Sequence, residues 1–268
     1  MLFPMAQNTA SSAFNGAALT EPLSLWHRIE NGDLEGLKQI LGAFPHIADV
    51  PVRTTKNYTT GDRAIHIAAR RGHLGAIDLL LDHGATLGDR NEVTGETPLF
   101  ASLGGIVSVP KALVERGAKA DERNDDGETI LHVLARKGWA LSLDHTFSID
   151  GLDIEAADND GDTPLMSALR EGHENAIFRL LEQGARADVS NNKGETPVTL
   201  AKILNEKSEG KGPYAKIYSV ISALHEKATH EKSMAAADKV SWHLKHGAGH
   251  AVSKPKTASF TPKKPPSR

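Results

Sequence analysis

The 268 residues carry a formal charge of −3, 39% hydrophobic residues and no cysteine. The missing thiols exclude a disulfide framework and any thiolate metal site, and suit a reducing compartment such as the cytoplasm. Near-neutrality gives the whole chain no preference for polyanions, and no apolar run approaches the ~20 residues needed to cross a bilayer.

In chain order, residues 1–21 lack a basic start and a sustained apolar block, so they read as a disordered leader and not a cleaved signal. Pro22 to Gly42 follows as a helix–turn–helix: Leu25, Trp26 and Ile29 line the first helix, Asn31-Gly32-Asp33 turns, and Leu34, Leu37, Ile40 and Leu41 line the second. A 19-residue step from Gly42 to Gly61 comes next, within which Val50 to Tyr58 alternates enough for a small hairpin. The corresponding glycine-to-glycine steps further on are only 10 or 11 residues. Between Thr97 and Gly117, Gly104-Gly105 and Pro110 shorten or kink a helix pair. Thr129 to Gly151 is one residue too long, and its second helix is poor in strong helix formers. Thr163-Pro164 opens a helix over about 164–170 that Gly172 ends, and a second helix, about 174–183, carries Ile177, Leu180 and Leu181 on one stripe. The last unit has a helix over 198–204, a polar loop, and a helix over 214–225, after which the pattern fades except for a weak helix around Met234 to Leu244.

Placed in register, Arg63, Thr97, Thr129, Thr163 and Thr196 are separated by 34, 32, 34 and 33 residues. Each opens a similar run: DRAIHIAARRGH, ETPLFASLGG, ETILHVLARKG, DTPLMSALREGH and ETPVTLAKIL. A period near 33 with a turn, two helices and a T-P-L-H-x-A pattern resembles the ankyrin repeat. The resemblance spans about residues 22–228 and implies an all-α, ankyrin-type α-solenoid of five to six units with finger-like β-turns. It also implies protein binding, through the concave face and turn tips, by a monomer. The expected organisation is a leader over 1–21, the repeat domain over 22–228, and a basic Lys/Pro-rich tail, mostly disordered, over 229–268.

Catalytic patterns are absent: no phosphate loop, no nucleophile elbow, and His173-Glu174 lacks the second histidine of a zinc protease. The expectation is a non-enzyme without cofactor or metal. His66 and His132 stand two repeats apart, roughly 20 Å if neighbouring helices lie ~10 Å apart, too far for one ion. In the family such histidines are structural hydrogen-bonding residues. Candidate partner contacts fall into two groups. Arg53, Lys56, Asn57 and Tyr58 gather near the tip of the long first finger, and tyrosine and arginine carry interface energy disproportionately. Arg70, Arg136 and Arg170 recur near the ends of first helices, where they either hold an acidic partner or simply complement the helix dipole. Trp139 stands where the pattern elsewhere has His73 and His173.

From Lys239 to Arg268 there are seven basic residues and no acidic one. Such an end either docks weakly on an acidic surface or membrane, or merely keeps the chain soluble; nucleic acid is not favoured. The function expected is a non-catalytic protein–protein interaction scaffold. The alternative is a bacterial effector or regulatory partner delivered to a host cell cytoplasm with its tail assisting docking.

Overall fold

In the computed structural model, residues 25–53 and 59–246 are described. Residues 25–30 form helix α1 and Leu34–Ala43 form α2, joined by the Asn31-Gly32 turn, where Asp33 caps α2 by accepting from the Gly36 amide at 2.9 Å. Leu25, Ile29, Leu37 and Leu41 are buried as the periodicity requires, while Trp26 is half-buried and Leu34 exposed. A 3-10 turn, Pro45–Asp49, then leads into a two-stranded antiparallel hairpin of β1 (Pro51–Arg53) and β2 (Thr59–Arg63). Pro51 pairs with Arg63 and Arg53 with Thr59, with an irregularity between them. The expected hairpin is present, but its second strand begins at Thr59 and runs to Arg63, the residue that caps the next helix.

The helix pairs follow: α3 (Ala64–Arg71) and α4 (Leu74–Asp82), α5 (Pro98–Ala101) and α6 (Val109–Glu115), α7 (Ile130–Lys137) and α8 (Ala140–Thr146), α9 (Pro164–Glu171) and α10 (Glu174–Glu182). Helix α11 (Pro197–Lys207) and the long α12 (Tyr214–His246) close the series. First helices pack on first helices, α3 on α5 and α7 on α9, and second helices on second helices, α2 on α4 and α8 on α10. One continuous apolar core results, running from Leu25 through Ile65, Leu80, Leu99, Leu131, Leu165 and Leu180 to Ile217 and Ile221. No single pair of eight-residue helices buries such a face alone, so each repeat is stabilised by its neighbours.

Between pairs, the fingers are built on one side chain each. Asn91, Asn124, Asp158 and Asn191 accept backbone amides two to four residues on, at 2.7–3.1 Å, the Asx geometry that gives these residues their turn preference. Consecutive fingers are tied by backbone bonds such as Asn159 N to Asp126 O (3.1 Å) and Asn192 N to Asp160 O (3.0 Å).

The irregular middle is visible in the third pair. Helix α5 lasts four residues and tightens into a 3-10 turn, Ser102–Gly104. The two glycines there differ. A Cβ on Gly105 would lie 2.5 Å from the Arg70 carbonyl oxygen of the preceding repeat, a backbone atom that cannot move aside. One on Gly104 would meet only Trp139 Cη2, at 3.8 Å. Gly105→Ala is therefore expected to destabilise the chain by about 2 kcal/mol. Gly104→Ala is expected to be neutral or to stabilise it by about 0.5 kcal/mol, by restricting the unfolded chain. Paired urea titrations of the two variants distinguish these outcomes.

The sequence pattern fades after residue 228, but helix α12 does not stop at 225: it continues without a break to His246. Residues 226–246 contain no Gly or Pro and are rich in Ala and Lys, good helix formers that need no apolar stripe to stay helical. The tail from 229, expected to be mostly disordered apart from a weak helix around Met234 to Leu244, is thus continuously helical up to His246, and residues 247–268 lie outside the described residues. The chain divides at Ser222/Ala223 into two units, the first holding the stacked pairs and the second the remainder of α12. The leader over 1–21 also lies outside the described residues. No helix among the described residues is long and apolar enough to cross a membrane.

Candidate partner-binding face

The three recurring arginines are held by the chain itself. Each pairs with the acidic residue eight positions earlier, which sits just ahead of its own helix. Arg70 donates to Asp62 (2.5 and 3.3 Å), Arg136 to Glu128 (2.8 and 3.1 Å), and Arg170 to both Asp162 (3.0 Å from Nη2) and Glu195 of the next unit (2.9 Å). The carboxylates are buried while the guanidinium groups keep one edge toward solvent, with side chains 44, 39 and 35% exposed. Burial alone would push the Asp162 and Glu128 carboxyls up, but the hydrogen bonds from their arginines, with those from Asn191 and Asn124, outweigh it and hold both below the usual range. Hydrogen bonding to these carboxylates likewise raises all three arginines. What looked in the sequence like a ladder of cations is a ladder of ion pairs, nearly neutral along its length.

His66 and His132 lie deeper, fully buried at the starts of α3 and α7. Each imidazole accepts the amide of its own cap residue through Nδ1 (Arg63 N 3.2 Å, Thr129 N 3.1 Å). Through Nε2 each reaches a backbone carbonyl of the next repeat, Glu96 O and Asp162 O, both at 3.0 Å. The second bond needs a donor, so both rings are neutral with Nε2 protonated; desolvation lowers their pKa accordingly. They are structural links, as the pattern implied. In the third and fifth repeats the same position is Phe100 and Met166. There the bond is lost, and Thr97 donates instead to Glu122. Thr199 replaces the imidazole in the last unit, its hydroxyl accepting Thr196 N at 2.7 Å.

Trp139 immediately precedes α8, at the site His73 and His173 occupy before α4 and α10. In each case the side chain covers the inter-helix glycine of the repeat before it: His73 lies over Gly32, Ile106 over Gly72, Trp139 beside Gly104 and His173 over Gly138. Trp139 does so while 39% exposed, and Ile106 and Leu141 nearby are 55% and 72% exposed. A groove of about 420 Å³ opens between α8 and α10, lined by Leu141, Asp144, Phe178 and Arg179 among others. Sequence reasoning passed over this groove because its residues form no periodic surplus of apolar positions. Of the first-finger residues, Arg53 lies in β1 opposite Thr59, whereas Lys56, Asn57 and Tyr58 lie outside the described residues. Among the described residues no cluster of three His, Asp or Glu side chains has metal-site geometry.

A stack of helix–turn–helix units joined by Asx-turned fingers, with buried histidines bridging repeats, defines a helical repeat domain. A family model for ankyrin repeats, three copies, matches residues 25–124 and 101–191. The chain belongs to the ankyrin repeat family. Among curated proteins it is 27% identical over 191 residues to E3 ubiquitin-protein ligase KEG of Arabidopsis thaliana, covering 68% of this chain and 12% of that one. It is 33% identical over 145 residues to neurogenic locus notch homolog protein 1 of Mus musculus (53% and 6%). It is 34% identical over 147 residues to ankyrin repeat and SAM domain-containing protein 6 of Danio rerio (53% and 19%). The chain spans less than a fifth of the length of each of these relatives. The fold is generally an interaction domain without catalysis, and such repeats bind other proteins.

Proposed function

We propose that this protein is a non-catalytic scaffold that binds a partner protein as a monomer, through the first-helix face and the finger tips. The observation that carries the reading is the ankyrin stack itself, whose regular interior is fully used in holding repeats together while its fingers and first-helix edges stay exposed. The ligase activity named for the Arabidopsis relative belongs to a protein of which the shared segment is only 12%. Nothing in the geometry assigns catalysis to this chain. Absence of cysteine favours a cytoplasmic setting. The reading of a delivered bacterial effector gains no support from the relatives named above, which are plant and animal proteins. The basic residues from Lys239 onward supply a secondary, salt-sensitive contact with an acidic surface or membrane.

Within this reading the arginines at 70, 136 and 170 contribute through their free edges, since their charges are already satisfied. The main contact lies at Arg53, Lys56, Asn57 and Tyr58, with Trp139 as an aromatic neighbour on the stack. The test is quantitative capture with cross-linking, using the full chain as bait, followed by Tyr58→Ala. Loss of about 2 kcal/mol of binding with an unchanged melting temperature is expected of a contact residue. A lowered melting temperature, with binding reduced only by the unfolded fraction, identifies Tyr58 instead as part of the cap.

A further inference from the structure

The groove on the second-helix side of the stack is built from residues that the sister helices do not carry. Positions can be counted from the residue that caps each second helix, Asp33, His73, Trp139 and His173. The second position is Leu141 in α8 but Glu35 in α2, Gly75 in α4 and Asn175 in α10. The fifth is Phe178 in α10 but Lys38 in α2, Asp78 in α4 and Asp144 in α8. Both departures put a large apolar side chain where the sister helices have a small, polar or charged residue. Both line the same groove of about 420 Å³, with Ala140 beside them. Leu141 is the most exposed large apolar side chain among the described residues. Neither Leu141 nor Phe178 belongs to the apolar core, so the joining of repeats does not account for them.

The polar edge of the groove is unbalanced. In the second repeat, Asp78 holds Arg116 of the next repeat through two bonds, 2.6 and 3.1 Å, one carboxylate to one guanidinium. Across the groove, Arg179 is shared between two carboxylates. Its Nε lies 3.4 Å from Asp144 Oδ1, and its Nη1 donates to Glu182 Oε2 at 3.1 Å. These three are the charged residues that line the groove, so the lining carries one uncancelled negative charge. Lys216 does not restore the balance. It pairs with Glu174, and its Nζ stands 5.1 Å from the centre of the Phe178 ring without lining the groove.

We propose that this groove is a second docking surface, for a segment of a partner protein that pairs a large apolar side chain with a basic one. The aliphatic or aromatic side chain enters between Leu141 and Phe178, and the lysine or arginine lies against Asp144 and Glu182. Covering the two apolar side chains removes their surface from water, which favours association. The basic neighbour cancels the excess charge, and an acidic one is rejected by it. The volume is near the low end of ligand clefts, about 300–1,000 Å³, which suits one or two side chains of a peptide. The surface lies on the second helices, apart from the first-helix face and the fingers, so the inference goes beyond the binding role proposed above and does not depend on it.

The probe is a displayed library of short random peptides, selected on the full chain after depletion on Leu141→Asn. Enriched peptides are then titrated into wild type, Leu141→Asn, Phe178→Asp and Glu182→Lys. The first two variants install a residue that a sister helix carries at the same position, so both should keep the wild-type melting temperature. The expected consensus places a large apolar residue beside, or one helical turn from, a lysine or arginine. Affinity should fall about tenfold or more in Leu141→Asn and in Phe178→Asp. It should fall about threefold in Glu182→Lys, and binding to wild type should weaken as salt rises. Should Phe178→Asp melt lower, Leu141→Asn carries the test, because its side chain is mostly exposed. Failure to enrich any peptide that needs Leu141 overturns the proposal, as does a consensus that is acidic. A consensus matching a segment of this chain, or self-association of wild type that Leu141→Asn abolishes, also overturns it, since the occupant is then the chain itself or a second copy.

Discussion

Replacing His132 with alanine is expected to lower stability by about 3 kcal/mol, measured by urea unfolding of the full chain. The ring is fully buried and joins Thr129 N, Thr129 Oγ1 and Asp162 O. Its removal deletes packed volume, leaves the buried Thr129 amide without a partner at a cost of about 1–3 kcal/mol, and takes from Asp162 O one of its two donors, the Asp158 amide remaining at 3.0 Å. His132→Gln, which keeps a donor in reach of Asp162 O, should recover part of the loss. The pH dependence follows from the same burial. Desolvation lowers the pKa of His66 and His132 below the ordinary 6.5, so the unfolded chain takes up protons that the folded chain refuses. Their contribution is complete above pH 6.5 and declines as pH falls below it. In the His132→Ala chain the slope of stability against pH between 6.5 and 5 should be shallower than in the wild type. An unchanged slope would show that the ring protonates without disturbing the fold.

Most of this architecture could be read from the sequence because the features that fix it are local. Thr163-Pro164 ahead of an apolar run, Gly172 nine residues after the threonine, and His173 opening the next helix each dictate backbone geometry within a few residues. Their recurrence near every 33 residues revealed the stack. The bridging role of His66 and His132 was legible for the same reason. Less legible was anything set by what lies across a repeat boundary. The arginines at 70, 136 and 170 read either as cations for an acidic partner or as complements of the helix dipole, since their carboxylate partners eight residues away look like ordinary turn residues. The sequence places a weak helix around Met234 to Leu244 but separates it from the helix ending at 225, whereas α12 joins the two without a break, because apolar periodicity fades between them. A run of 21 residues free of Gly and Pro was the better indicator.

The repeats are not joined equally, and this shapes a second expectation. The histidine link joins the second repeat to the third and the fourth to the fifth. An asparagine–carboxylate link joins the second to the third, through Asn91 Nδ2 and Asp62 Oδ1 at 2.6 Å, and the fifth to the last, through Asn191 Nδ2 and Asp162 Oδ1 at 2.7 Å. In the fourth repeat, Glu128 instead bonds Asn124 of its own finger. Asp162 is thus the most connected acid of the stack: its carboxylate holds Arg170 and Asn191, and its backbone carbonyl receives His132. Asp162→Ala should cost about 2 kcal/mol. That is below the 3–5 kcal/mol typical of breaking a buried pair, because Arg170 is about a third exposed and retains Glu195. Asp162→Asn should cost less, since it keeps an acceptor for Asn191. The folded-state pKa of Asp162 lies below its ordinary 3.8, so its contribution is present above pH 3.8 and fades as pH falls through that value. A double-mutant cycle with Arg170→Met isolates the pair. A coupling energy of about 1 kcal/mol or more is expected, whereas a value near zero would mean that Glu195 alone suffices to hold Arg170 and that the ladder is a surface feature with no part in joining the repeats.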